Sequence, residues 1–152
     1  MNFMERALEL AQMAYKQDEV PVGCVIVLND KIIGEGFNQK ESNQSPLDHA
    51  EIVAIKEAAQ YLQSWRLEGC DLYVTLEPCA MCAGAILQAR INRVIFGAFD
   101  PKGGCFGSVF DITQKKGFNH YPQVIAGVLA EESKNLLQQF FREKREKGKK
   151  NL

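Results

Sequence analysis

The spacing of apolar positions changes several times along this chain, and each change marks an element. Met4, Leu8, Ala11 and Tyr15 recur at helical spacing behind Asn2, a residue type that caps helices, which predicts a first helix. Gly23-Cys-Val-Ile-Val-Leu28 is a β-rich apolar run, Asn29-Asp30 suits a two-residue turn, and Lys31 to Phe37 reads as the return strand of a hairpin. Residues 38–48 are polar and turn-rich, and a loop is expected there. Asp48 is placed to cap a helix from about His49 to Leu62, with Ile52, Ile55 and Ala59 on its apolar face. Leu72 to Leu76 reads as a buried strand. Pro78 suits the first turn of a helix that continues through Ala83, Ile86 and Leu87. Val94 to Phe96 is a fourth strand, and Gln123 to Val128 contains a fifth. Asp100 to Gly107, between them, is glycine-rich and loop-like. Glu131 to about Lys147 forms a last helix with Leu136, Leu137 and Phe140 inward.

Strands alternating with helices predict a layered α/β domain. A crossover helix between the third and fourth strands makes that pair parallel, and the opening hairpin makes the sheet mixed. The 152 residues fit one domain, 1–152, with no internal repeat or linker. Composition is ordinary for a globular protein, 46% hydrophobic and 24% charged. A net charge of −1 means that a polyanion must be met by a local patch. The only biased segment is the end of the basic C-terminal helix and tail, about 131–152: Arg142 to Lys150 holds six basic and two acidic residues. Glu5, Arg6 and Glu9 interrupt any secretory apolar stretch. The longest nearly apolar run, Val20 to Leu28, is far below the roughly 20 residues of a membrane span. A cytoplasmic protein with no membrane partner is expected. Five cysteines, an odd number, then point to metal ligation or packing rather than disulfides. Packing is the expectation for Cys24, Cys70 and Cys105.

Two segments carry chemistry: His49-Ala-Glu51 and Pro78-Cys-Ala-Met-Cys82. Cys79 and Cys82, three apart at a helix start, can turn both sulfurs to one side. A helix N-terminus favours thiolate, the metal-binding form. His49 offers a third zinc ligand, and three protein ligands leave the open position of a catalytic site. Water there needs a base, for which Glu51 is the candidate. Positions i and i+2 share no helix face, so that pairing requires both side chains to reach over the helix end. A structural zinc or redox pair is the competing account. It needs a closing ligand, for which Cys70, Cys105 and His120 are available. Glu51 also fits a capping box with Asp48.

H-x-E followed by P-C-x-x-C resembles the zinc nucleobase deaminases. The likeness covers nearly the whole chain and is greatest to the bacterial tRNA-specific adenosine deaminase branch of the cytidine deaminase-like superfamily. Beyond the zinc motifs it rests on Glu19-Val-Pro-Val-Gly23, Gly34-Glu-Gly-Phe-Asn38, Cys82-Ala-Gly-Ala-Ile86, Val94-Ile-Phe-Gly-Ala98, Asp100-Pro-Lys102 and Phe140-Phe-Arg142. The resemblance implies a three-layer α/β/α fold with a mixed five-stranded sheet, one Zn2+ per subunit, and a homodimer. The implied reaction is hydrolytic conversion of adenosine to inosine at the wobble position of a tRNA anticodon, arginine tRNA with an ACG anticodon being the expected substrate. Glu51 is then the catalytic proton carrier, and the backbone N–H of Cys79 a donor to developing charge. Asn38, Ala50 and Val22 are implied around the flipped base. Asp100 and Lys102 are implied at flanking nucleotides, as are Asn119, His120, Phe141 and Arg142 at the RNA. An anticodon loop presents its bases already unpaired, and the basic tail offers charge for its phosphates. DNA is not an expected partner. Two other readings stand beside this one: a deaminase of a free base or nucleotide, guanine or cytosine, and a non-catalytic zinc-stabilised RNA-binding module.

Overall fold

A computed structural model describes residues 2–150. Of the expected domain, Met1, Asn151 and Leu152 lie outside the described residues, as do the side chains of Lys149 and Lys150. The elements in chain order are α1 (Phe3–Lys16), β1 (Gly23–Leu28), β2 (Lys31–Phe37), α2 (Lys40–Asn43), α3 (Ala50–Leu62), β3 (Asp71–Leu76), α4 (Ala80–Ala89), β4 (Arg93–Ala98), a 3-10 turn (Ile112–Gln114), β5 (Gln123–Ile125) and α5 (Ala130–Lys150). The sheet order is β2-β1-β3-β4-β5. The β1–β2 and β1–β3 pairs are antiparallel, and β3–β4 and β4–β5 are parallel. Asn29 and Asp30 both take left-handed φ, 50° and 62°, as a tight hairpin turn requires. Ile33 is the extra residue where the β1–β2 register shifts.

Helices cover both faces. On one face α3 and α4 bury Ala50, Ala54, Ala58, Ala83 and Ile86 against Cys24, Ile26, Leu72, Val74 and Phe96. On the other, Met4, Ala7 and Leu10 of α1 meet Val25, Val27 and Ile95, and α5 packs along β4. Each fully buried large apolar side chain among these contributes roughly 1.5–3 kcal/mol.

Four local expectations are corrected. Residues 38–48 are not all loop, since Lys40–Asn43 forms one helical turn. Asp48 does not cap α3; its carboxylate accepts from the side chain of Asn43. His49 holds the N-cap position, and the α3 amide of Ala50 donates to Asn38 Oδ1 at 2.8 Å. Pro78 lies before the α4 N-cap, which is Cys79. The buried stripe of α1 is Met4, Ala7, Leu10, Ala11 and Ala14, with Leu8 and Tyr15 only partly covered.

Two glycines set how closely α3 lies on the sheet. A Cβ on Gly36 would come 2.4 Å from the Ala50 carbonyl oxygen, and one on Gly34 would come 2.4 Å from that of Ala54. The helix answers with alanines, so backbone rests nearly on backbone. Among the described residues no helix is long and apolar enough to cross a membrane.

Candidate metal centre and active site

The topology gathers one end of the sheet. Strands β2, β3 and β4 run in one direction and β1 runs against them. The segments leaving β2, β3 and β4 and the segment entering β1 therefore meet at the carboxyl end of the parallel strands, where open α/β sheets place their ligand sites. Asn38 follows β2, Cys79 follows β3, Asp100 follows β4, and Val22 precedes β1.

His49 and Cys79 are both N-cap residues with extended backbone, and neither side chain bonds its own helix end. A Ser or Asp at such a position would spend its oxygen on the first amides. Here the imidazole and thiol stay free to converge. His49 Nδ1 lies 3.6 Å from Cys79 Sγ and 3.6 Å from Cys82 Sγ. All three donor atoms fall within 4.8 Å of one another. Zinc bonds of about 2.0 Å to nitrogen and 2.3 Å to sulfur at a tetrahedral angle require an N···S edge of about 3.5 Å. The geometry therefore fits Zn2+. Among the described residues the cluster has three members, and Cys70, Cys105 and His120 are not in it.

The charges agree with that fit. The thiol of Cys82 hydrogen-bonds to Cys79, which with His49 holds the Cys79 pKa down to about 4. The same contact, together with burial, pushes Cys82 far up. One sulfur is favoured as thiolate and the other as thiol, and a cation between them would favour the thiolate on both. Hydrogen bonding to Cys79 raises His49. The Glu51 side chain is 4% exposed. Burial pushes its carboxyl up to about 7, and the neighbouring Cys79 adds to the rise.

A cavity of about 760 Å³ opens over the cluster. His49, Glu51 and Cys79 reach it together with Val22, Asn38 and Leu76, while Asp100, Lys40, Phe141 and Lys144 also line it. Because Asn38 Oδ1 accepts from Ala50, its amide nitrogen is the group left for a ligand. The Asp100 carboxylate also accepts the backbone N–H of Lys102, whose exposed side chain stands outside the lining. Ala50 is buried beneath. Asn119 and Arg142 are exposed and outside the lining. His120 is also outside it, its Nε2 2.6 Å from the Ile91 carbonyl oxygen. Cys24, Cys70 and Cys105 are buried free thiols.

Sequence reasoning assigned no role to two buried carboxylates at the rim. Glu19 accepts from the N–H groups of Glu41 and Ser42 and from the Ser42 hydroxyl. Glu77 receives the loop after β4. For Glu77 the available signal was a lone acidic residue inside an apolar run, Val74-Thr-Leu-Glu-Pro78; Glu19, next to Asp18 at the end of a polar stretch, carried none.

A mixed five-stranded α/β/α sandwich, two helix N-termini meeting at a His-Cys-Cys cluster and a buried carboxylate beside it define a zinc deaminase. Residues 1–98 match the family described as the cytidine and deoxycytidylate deaminase zinc-binding region, and the chain belongs to it. Its similarity to individual members narrows the branch. The tRNA-specific adenosine deaminase of Bacillus subtilis is 49% identical over 147 residues, 97% of this chain and 91% of that protein. The tRNA-specific adenosine deaminase of Haemophilus influenzae is 48% identical over 149 residues, 97% and 86% of the two chains. A structure solved in work on A-to-I editing by tRNA:A34 deaminases at the wobble position superposes with a TM-score of 0.87. It is 44% identical and covers 89% of this chain and 98% of the other. The guanine deaminase of Nitrosomonas europaea, 21% identical, shares the fold with a TM-score of 0.74 over 90% of this chain and 81% of its own.

Proposed function

We propose that this chain converts adenosine to inosine at the wobble position of a tRNA anticodon, consuming water and releasing ammonia. The observation that carries the reading is that Glu51, His49 and Cys79 line a cavity large enough for a nucleotide, with Cys82 completing the ligand cluster from the buried side. The relatedness to tRNA-specific adenosine deaminases supports the choice of substrate.

Bound zinc would supply an electrophilic centre that lowers the pKa of water toward neutrality. The remaining steps belong to the chain. Glu51, with its carboxyl raised to about 7, can carry both protons of the attacking water in turn. It takes the first as water attacks and gives it to N1 of the ring, then takes the second from the new hydroxyl and gives it to the departing amine. The backbone N–H of Cys79, at the start of α4, donates to charge developing at the reacting carbon's substituent. Asn38 offers its free amide N–H to a purine ring nitrogen, Val22 walls the base, and Ala50 floors it. Asp100 and Lys102 meet flanking nucleotides. Phe141 and Arg142 on α5 meet the RNA further out, with Asn119 and His120 before β5.

The whole chain acts as one deaminase domain, and as a homodimer. Leu47, Val109 and Phe118 are exposed large apolar side chains that a second copy would cover. The cytoplasm is the proposed location, since a reducing compartment suits a site built on two thiolates.

The deciding experiment incubates the zinc-loaded protein with unmodified arginine tRNA bearing an ACG anticodon and reads inosine at the wobble position. Inosine there supports the proposal. Ammonia from free guanine or cytosine, without inosine in the tRNA, replaces it with the free-base reading.

A further inference from the structure

Glu77 stands two residues before the ligand Cys79, and its side chain is 2% exposed. It has four hydrogen-bond donors for its two oxygens. Oε1 accepts from the backbone N–H of Asp100 at 3.0 Å and from the Ser108 hydroxyl. Oε2 accepts from the N–H groups of Phe106 at 3.0 Å and Ser108 at 3.1 Å. Among the described residues no Lys or Arg forms an ion pair with it. The loop is moulded to the carboxylate, because a Cβ on Gly104 would fall 2.2 Å from Glu77 Cδ. Backbone bonds from Glu77 N–H to the Ala98 carbonyl and from Cys105 N–H to the Pro78 carbonyl run on either side, each 2.9 Å.

Loop 99–108 has no regular structure of its own, yet it presents Asp100 to the cavity. One carboxylate gathers three of its amides and a hydroxyl onto the turn that carries a metal ligand. We infer that Glu77 is a positioning residue for substrate recognition: it fixes the rim loop, and hence Asp100, relative to the metal centre, and its effect on turnover runs through Asp100. This rests on the proposed function for its kinetic consequence, and on geometry alone for its structural one.

Glu77→Gln is the informative change. The amide keeps the shape but offers one acceptor oxygen, and its NH2 faces donors that have lost their acceptor. In zinc-loaded full-length protein without RNA, hydrogen exchange at Asp100, Phe106 and Ser108 should speed up by at least about tenfold while β3 and α4 amides stay protected. With the anticodon stem-loop of arginine tRNA, KM should rise about tenfold and kcat should stay within a factor of about three. Adding Asp100→Ala to Glu77→Gln should then cost nothing further, since both changes remove one contact. Ser108→Ala, which removes one of the four donors and spares the carboxylate, should act in the same direction and more weakly. Unchanged exchange, loss of zinc from Glu77→Gln, a fall in kcat at unchanged KM, or strict additivity with Asp100→Ala overturns the inference. If the wild-type protein makes no inosine, the functional reading fails, and the exchange measurement still decides the role of Glu77.

Discussion

Substituting Gly36 by alanine tests how the metal centre is held. The new Cβ would lie 2.4 Å from the Ala50 carbonyl oxygen, 2.8 Å from Ala54 N and 2.9 Å from Val53 Cβ. Two of the three obstacles are backbone, so no side-chain rotation relieves them. Reaching ordinary contact at 3.4 Å requires the first turn of α3 to withdraw by about 1 Å. His49 is the cap of that turn. A displacement of that size is several times the tolerance of about 0.2 Å in a zinc–ligand distance. Overpacking of this kind costs about 1–3 kcal/mol, and a domain of this size loses about 2–4 °C in Tm per kcal/mol. The expected result is a lower Tm by circular dichroism and a zinc-to-protein ratio well below that of wild type after dialysis at limiting zinc. Gly84→Ala is the control. It lies in α4, the helix of the other two ligands, and its Cβ meets nothing within 4 Å. It should stabilise by about 1 kcal/mol through helix propensity and leave zinc unchanged. Full zinc occupancy and wild-type Tm in Gly36→Ala would refute the claim that backbone contact across β2 and α3 positions the ligand.

Four further outcomes follow from the site. Glu51→Gln should lower kcat by about 10²–10⁴-fold with zinc and RNA still bound, and loss of zinc or fold in this variant would show that Glu51 is structural. A chelator should abolish turnover and, where free zinc had stood about a hundredfold above Kd, remove about 2.7 kcal/mol of stability; an unchanged urea midpoint contradicts this. Desolvation opposes the Glu19 charge, but the hydroxyl and N–H of Ser42 and the N–H of Glu41 hold its pKa below the ordinary 4.5. Its stabilisation is therefore complete above about 4.5 and lost as pH falls through the lowered value, so the acid limb of the stability curve should flatten in Glu19→Gln below about pH 4.5. Arg142→Ala should weaken RNA binding and reduce the slope of log K against log salt by about 0.7; an identical slope places Arg142 off the RNA path.

The parts of this molecule visible in its sequence are those encoded by spacing. His49, Cys79 and Cys82 stood out because few roles need that combination, and the strands stood out because β-rich runs end at clear turns. What the sequence hid depends on contacts between distant segments. Asp48 had the right chemistry and offset to cap α3, yet Asn38, twelve residues upstream, took that place because the β2 exit runs past the helix end. Gly34 and Gly36 looked like ordinary strand glycines, and only the packed helix shows why a side chain is excluded. Glu19 and Glu77 received no role, since sequence cannot say that a loop will fold its amides onto them. The α1 stripe was misplaced by about one position because alanines, weak in any hydropathy pattern, form most of the buried face.

The Asn38 side chain caps the helix of a metal ligand with its amide oxygen and also lines the cavity. In the proposed reaction, occupancy of the cavity and occupancy of the metal site are then two binding equilibria joined at one residue. If zinc, by fixing the His49 end of α3, tightens the hold on the base by some factor, the base must tighten the hold on zinc by the same factor. Substrate becomes a retention factor for the cofactor, and metal loss under chelation should slow when the cavity is filled.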